Sequence, residues 1–181
     1  MQYVEQSKFV LFSDADIQWE RDALARMVDT LTRARARDQA EHNAWLTGYS
    51  YGGYYLQEPT MFTDGRYKTF RGPIGNEPWS CETLVQRNFV SSMSLIYRDA
   101  LEYIGSPVWD ESLLRLQDWD IWLRMAQEGW KGEWVGGVTF TTPIRKGITF
   151  ATDKRNEHTN IEHGISYEEA AAIVRSKHGL R

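Results

Sequence analysis

The sequence predicts an α/β fold in which a mixed sheet is flanked by helices, formed as one domain over residues 1–181. A strand-like run at 9–12, an amphipathic helical pattern at 20–38 and a second strand-like run at 43–51 follow one another. Strand, helix, strand is the unit from which parallel and mixed sheets are built. Strand-like and helical segments alternate again beyond residue 88, and the chain is long enough for one sizeable core.

Composition excludes several classes of partner. The 21 basic and 25 acidic residues give a net charge of -4, which argues against nucleic acid or an anionic membrane as the main partner. The single Cys81 excludes an intramolecular disulfide and fits a reducing compartment. No apolar run approaches membrane-spanning length and the N-terminus lacks a signal-peptide pattern, so we expect a cytoplasmic protein without a transmembrane segment.

The first predicted strand leads directly into two aspartates. Four consecutive apolar residues at 9–12 favour a strand buried on both faces. Asp14 and Asp16 follow, and the alternation of side chains along a strand would point both the same way. Two adjacent carboxylates repel each other unless a cation lies close, so a divalent metal ion is their natural partner. Alternatively, one aspartate caps the following helix and the other is solvated in a loop.

The helical pattern at 20–38 has one apolar stripe, and its arginines lie mostly off that stripe and are predicted to form a solvated face. The predicted buried stripe consists of Leu24, Met27, Val28, Leu31 and Ala34.

The segment 52–78 combines glycine and proline turn signals with many aromatic residues. A long segment of this kind in a compact domain is often a binding loop or a lid. A hairpin extension that packs its own aromatic side chains is an equal alternative.

The second half of the sequence predicts a strand at 88–97, a short helix at 98–104, a helix ending at about Glu128, a strand at 131–140 and a last helix that begins with a capping box at Ser166. The helix that ends at Glu128 has apolar positions 119, 122, 123 and 126, and it carries Asp118 and Asp120 near its start. The polar stretch at 141–165 supplies weaker candidates for metal or phosphate binding, namely Arg145, Lys146, His158 and His163.

The order and spacing of these motifs resemble family-2 glycosyltransferases of the GT-A fold, a Rossmann-like α/β fold. The resemblance is carried by Asp14-Ala15-Asp16 after a strand, by the 88–97 strand followed by Arg98 and Gly105, and by Asp110-Glu111-Ser112-Leu113 leading to Gln117-Asp118-Trp119-Asp120.

The resemblance implies a role for each acidic motif. Asp14 and Asp16 would bind the sugar nucleotide and its Mn²⁺ or Mg²⁺ ion, and Asp118 would be the catalytic base. Apart from the resemblance, His158 is the weaker candidate for a further metal ligand. Gln117 stands where the family usually has glutamate, which removes one charge beside the base. Asp118 is alternatively a simple helix N-cap and Asp120 a partner of the helix dipole. At a helix N-terminus the dipole favours a charged carboxylate, so we expect Asp118 to be a weak base.

The implied reaction is the transfer of a hexose from a nucleotide-diphosphate sugar to a saccharide or other hydroxyl acceptor, with inversion, as in polysaccharide biosynthesis. Departure of the diphosphate needs charge neutralisation, which a metal ion supplies as a Lewis acid. A non-catalytic sugar-binding or assembly module is the main alternative. A metal-dependent hydrolase is a third, although such enzymes usually carry a denser set of His and Asp ligands.

In the family, strands and helices precede the aspartate pair, so the chain resembles the later two-thirds of a catalytic domain. The predicted sheet is therefore N-terminally truncated and has an exposed edge, where a partner chain or a second copy would pair. A truncated gene product, one half of a split enzyme and a remnant with another role all remain alternatives.

Overall fold

A computed structural model describes residues 7–57, 70–143 and 165–180. The strands are β1 (Phe9–Leu11), β2 (Gln18–Trp19), β3 (Leu46–Gln57), β4 (Phe70–Ile74), β5 (Leu95–Tyr97) and β6 (Trp130–Pro143). The helices are α1 (Ala23–Ala40), α2 (Cys81–Gln86), α3 (Arg98–Tyr103), α4 (Gln117–Gln127) and α5 (Tyr167–Lys177). In these ranges, no helix has the length and apolar character needed to cross a membrane.

The strands form one mixed sheet, which confirms the predicted α/β class. Its order is β1-β5-β3-β6-β2, and β4 pairs with β3 outside this path. The long strands β3 and β6 run parallel, whereas β5 is antiparallel to both β1 and β3. Because β5 separates β1 from β3, the predicted strand-helix-strand unit is split by a strand from later in the chain.

The prediction that the first strand is buried on both faces is wrong. Strand β1 contains only three residues, all partly exposed, and among the described residues it pairs with β5 alone. It is therefore an edge strand of the described sheet, as expected for this end of the sheet. The strand ends at Leu11, so Asp14 and Asp16 lie in the loop beyond it, and strand alternation does not set their directions.

The segment predicted as a lid or hairpin contains a hairpin in its described part. Strand β3 continues through the glycine pair 52–53, which the sequence suggested was a turn, and β4 returns antiparallel to it. The glycines are needed because the neighbouring backbone comes close. A Cβ on Gly52 would lie 2.8 Å from the carbonyl oxygen of Gly137, and one on Gly53 would lie 2.5 Å from Cβ of Asn76. Residues 58–69, which separate β3 from β4 in the sequence, lie outside the described residues.

Helix α1 differs from its prediction at two positions. Met27, Leu31 and Ala34 are buried as predicted, but Leu24 is 53% exposed. Arg35, predicted to be solvated, is 8% exposed. Its guanidinium donates to the carbonyl oxygen of Thr47 at 3.0 Å, pairs with Asp99 at 2.7 Å, and lies over two aromatic rings, those of Tyr97 and Trp130. An arginine within an apolar stripe is thus part of the core of this protein.

Helix α4 is the element that the sequence predicts best, and it carries the candidate residue Asp118. The four apolar positions 119, 122, 123 and 126 are all buried. The indole N–H of Trp119 donates to the carbonyl oxygen of Leu84 at 2.7 Å, and that of Trp122 donates to the carbonyl oxygen of Val90 at 2.9 Å. These two bonds fix α4 against α2, which the sequence analysis missed, and against the segment that leads into β5.

Candidate active site

The loop after β1 carries Asp14 and Asp16. The backbone amide of Asp14 lies 3.4 Å from the sulfur of Met93, and the ring of Phe12 packs edge-on against Trp109 with centroids 4.9 Å apart. Asp14 is solvent-exposed, yet partial loss of hydration raises the pKa of its carboxyl group, and the charge of Asp16 raises it further. The two carboxylates therefore lie close enough to repel each other, as the sequence predicts.

The alternative that one of these aspartates caps the next helix is wrong. Helix α1 begins at Ala23, and its N-cap residue is Asp22.

Asp118 lies in the first turn of α4, one residue inside the helix. Its Oδ1 accepts the backbone N–H of Trp119 at 2.9 Å, and the side chain of Asn88 also hydrogen-bonds to its carboxylate. The N-cap position is occupied by Leu116, which has a left-handed φ of 61°. Asp118 is therefore not the N-cap, and its carboxylate remains available to other groups.

The pKa of Asp118 is raised, which overturns the expectation that this residue is a weak base. Loss of hydration is the largest cause. Hydrogen bonds from Asn88 and from the amides of the first turn act in the opposite direction, and the charge of Asp14 adds to the rise. The helix dipole and its amides are thus outweighed by desolvation, and a carboxylate with a raised pKa is a better proton acceptor.

Two tyrosines share the surroundings of Asp118. Burial raises the pKa of Tyr54 to about 12, with the charge of Asp118 as the next cause. Burial followed by Asp118 also raises the pKa of Tyr167, at the start of α5. The ring of Tyr54 stacks on Phe140 with centroids 5.0 Å apart. Strand β3, the loop after β1, and helices α4 and α5 therefore converge on one carboxylate.

The surroundings of Asp120 lower its pKa, whereas those of Asp118 raise the pKa of that residue. Its side chain is fully buried and lies 2.8 Å from Nε2 of His178, 2.7 Å from Nζ of Lys177 and 3.1 Å from Nε of Arg124. Burial alone would raise its pKa, but the hydrogen bonds from His178 and Lys177 and the charges of Lys177 and Arg124 lower it. When the surroundings of two nearby carboxylates shift their pKa values in opposite directions, the one with the raised pKa is the better candidate for a proton acceptor. The raised pKa makes Asp118 the candidate of the two, whereas the ion pairs of Asp120 favour a structural role.

Gln117 is turned towards the segment that precedes α4. Its side-chain amide donates to the carbonyl oxygen of Asp110 at 3.3 Å. An amide donates such a bond and a carboxylate does not, so a glutamate at this position would lack this contact.

The residues proposed to hold a metal ion are only partly described. Asp14 and Asp16 supply hard oxygen ligands whose mutual repulsion a cation would relieve, and a nucleotide diphosphate and water would supply the remaining ligands of Mn²⁺ or Mg²⁺. His158, the third predicted ligand, lies outside the described residues, as do His163, Arg145 and Lys146. Within the described part of the chain no group of three or more His, Cys, Asp or Glu side chains is arranged to hold a metal ion.

Sequence reasoning missed several residues around Asp118. The sequence predicts Asn88 as the start of a strand, Tyr54 as part of a loop and Tyr167 as part of a capping box. The capping box itself is confirmed, with Ser166 and Glu169 hydrogen-bonded to each other's backbone. No local signal marks the three missed residues, because each reaches Asp118 only through the tertiary fold.

A scan against protein-family models found no match, and a search of curated proteins returned no similar sequence. A proposal for the function therefore rests on the arrangement of the residues around Asp118.

Proposed function

We propose that this chain forms the metal and base half of a glycosyltransferase site, which uses a nucleotide-diphosphate sugar and a hydroxyl acceptor. The observation that carries the proposal is the placement of Asp118, whose pKa is raised both by desolvation and by the charge of Asp14. This reaction needs a proton acceptor close to carboxylates that can bind a metal ion.

In the proposed reaction, Asp118 accepts the proton of the acceptor hydroxyl as that oxygen bonds to the anomeric carbon from the face opposite the leaving group. The bond between the anomeric carbon and the phosphate oxygen breaks, and the diphosphate leaves with the electron pair. The configuration at the anomeric carbon is inverted. A metal ion held by Asp14 and Asp16 would neutralise the charge that develops on the diphosphate.

The surroundings of Asp118 suit this role. The side chain of Asn88 and the amide of Trp119 bond to its carboxylate and fix its orientation. Tyr54 and Tyr167 bring two hydroxyl groups into its neighbourhood; both are protonated at neutral pH, as tyrosines ordinarily are, and burial raises their pKa further. Hydroxyl groups of this kind are suited to hydrogen-bond a sugar.

The test is calorimetric titration of the purified chain with UDP and with GDP, each with and without Mn²⁺. We expect Mn²⁺-dependent binding that is lost in Asp16→Asn and retained in Asp29→Asn, which makes the same change at an exposed carboxylate on α1. Retained binding without Mn²⁺, or in Asp16→Asn, would contradict the metal role.

Titration of the same protein with oligosaccharides separates the proposal from a sugar-binding or assembly module. That alternative is supported if the chain binds oligosaccharides but neither nucleotide, and it needs no metal ion. Pairing of a partner chain or a second copy at the β1 edge stays a prediction. The cytoplasmic location predicted from the sequence also stays a prediction.

A further inference from the structure

The C-terminal helix α5 is attached to α4 by polar contacts near its end. Lys177 Nζ lies 2.7 Å from a carboxylate oxygen of Asp120 and 2.7 Å from one of Asp110. Nε2 of His178, which follows the helix, lies 2.8 Å from the Asp120 carboxylate, and its Nδ1 lies 3.2 Å from the side-chain oxygen of Gln127. The His178 side chain is 3% exposed. The end of α5 thus contacts both the start and the end of α4.

The contacts to Asp120 compensate a fully buried charge. Arg124, one turn further along α4, supplies the third partner of that carboxylate at 3.1 Å. A buried carboxylate that loses its partners either takes up a proton or moves towards water. The docked end of α5 therefore helps to hold the first turn of α4, together with the Arg124 ion pair and the indole hydrogen bond of Trp119.

The turn that precedes α4 depends on the same lysine. Lys177 binds Asp110, whose carboxylate also accepts the backbone N–H and the hydroxyl of Ser112 at 2.9 and 2.6 Å. Between this turn and α4, Leu116 adopts a left-handed conformation, which a leucine rarely adopts unless its surroundings impose it. Lys177 thus binds Asp110, which precedes the strained residue Leu116 in the sequence, and Asp120, which follows it.

Asp118 lies within the region that is held in this way. It is two residues from Leu116 and two from Asp120, and its carboxylate is bonded to the amide of Trp119 in the same turn. Any rotation of this turn would move the Asp118 carboxylate relative to Asn88 and Asp14.

We propose that Lys177 and His178 are positioning residues, which dock on Asp120 and Asp110 and thereby hold the Asp118 carboxylate at the candidate site. The proposal rests on the function proposed above for its catalytic consequence. Its structural part, that the end of α5 controls the first turn of α4, stands independently and can be measured without any substrate.

The experiment compares Lys177→Met with Lys177→Arg, which keeps the charge, and with Lys131→Met. The last variant is a matched control because Lys131 pairs at 3.0 Å with Asp38, another fully buried aspartate, at a different place in the fold. His178→Asn is a second variant of the docking contact. Hydrogen exchange of the backbone amides of residues 118–121 and of β3 is measured for each protein, together with kcat and the donor KM for transfer.

We expect Lys177→Met and His178→Asn to speed exchange at 118–121 by about tenfold or more relative to β3, and Lys177→Arg to restore slow exchange. In Lys177→Met, kcat should fall at least tenfold while the donor KM stays within about twofold. Lys131→Met should speed amide exchange in α1 and in the central strands. The exchange rate of residues 118–121 relative to that of β3 should be no higher than in the wild type.

Unchanged exchange at 118–121 in Lys177→Met would overturn the proposal. An equal response to Lys131→Met would also overturn it, because the effect would then be general destabilisation. If the wild-type chain transfers no sugar with any donor, the proposed function fails, and the exchange comparison alone decides whether α5 positions this turn.

Discussion

Asp118 and Asp120 lie two residues apart in the same turn of α4, yet the pKa of Asp118 is raised and that of Asp120 is lowered. Desolvation acts on both carboxylates. Only Asp120 has the cationic partners Lys177 and Arg124, together with His178, at hydrogen-bonding distance. One turn of helix thus combines a carboxylate with a raised pKa and a carboxylate held by ion pairs.

This contrast predicts that the same substitution has opposite effects on stability at the two positions. A charged carboxylate with a raised pKa destabilises the folded state at neutral pH, so Asp118→Asn should raise the free energy of unfolding at pH 7. Asp120→Asn should lower it by about 1–3 kcal/mol, because it removes the charged acceptor that Lys177, Arg124 and His178 share. Urea denaturation of both variants measures this. A loss of stability in Asp118→Asn would contradict the assigned pKa direction.

The raised pKa of Asp118 also predicts the pH dependence of transfer. A base acts only when deprotonated, so kcat should fall as the pH drops through a pKa above the ordinary aspartate value of 3.8. Asp118→Asn should lower kcat by about 10²–10⁴-fold, the usual contribution of a general base, while UDP–Mn²⁺ binding persists. Steady-state assays from pH 4 to 8 provide the profile, with Asp29→Asn as the control. A kcat that does not change between pH 4 and 8 would argue against the base assignment.

Asp38 should account for part of the acid sensitivity of the fold. This fully buried carboxylate accepts the Thr47 amide at 2.9 Å and its hydroxyl at 2.5 Å, and pairs with Lys131 at 3.0 Å. Burial opposes ionisation, but the bonds from Thr47, Lys131 and Asn43 lower the pKa to about 2. A folded-state pKa below the unfolded value stabilises the protein above the unfolded pKa, here by about 2 kcal/mol at pH 7.

That contribution disappears as the pH falls from about 5 through the folded-state pKa of about 2. Urea denaturation at pH 7, 4 and 3 should therefore show a steeper loss of stability in the wild type than in Asp38→Asn. Asp29→Asn should follow the wild type. Parallel curves for the wild type and Asp38→Asn would contradict the lowered pKa.

The glycines of β3 give a purely steric prediction. An alanine Cβ at position 52 would lie 2.8 Å from the backbone oxygen of Gly137, which cannot move away without disturbing the β3–β6 pairing. Gly52→Ala should cost about 1–3 kcal/mol of stability, as overpacking usually does. Gly137→Ala is the matched control, because its nearest neighbour is the flexible Arg26 side chain at 3.4 Å. Equal thermal stability of the two variants would show that the strand can relax around residue 52.

The sequence predicted α4 well because its burial depends on one periodic stripe within one helix. The burial of β1 was mispredicted because four apolar residues suit an edge strand as well as a central one, and only the pairing partners decide which forms. The glycine pair 52–53 resembled a turn, although its role is to admit neighbouring backbone and side-chain atoms. The pKa of Asp118 is raised mainly by burial, with a smaller contribution from Asp14, and no local pattern in the sequence reports either.

The attachment of β1 to the sheet has a consequence for ligand affinity. In the part of the chain that the structure describes, three residue pairs join β1 to β5, namely Phe9↔Tyr97, Val10↔Ile96 and Leu11↔Leu95. The loop with Asp14 and Asp16 continues from them. So short a pairing can open locally while the ten paired positions of β3 and β6 stay intact. The apparent affinity for a ligand that requires the closed loop is the intrinsic affinity multiplied by the fraction of time the loop is closed. Substitutions that strengthen the β1–β5 pairing should therefore tighten nucleotide binding without adding any contact to the nucleotide.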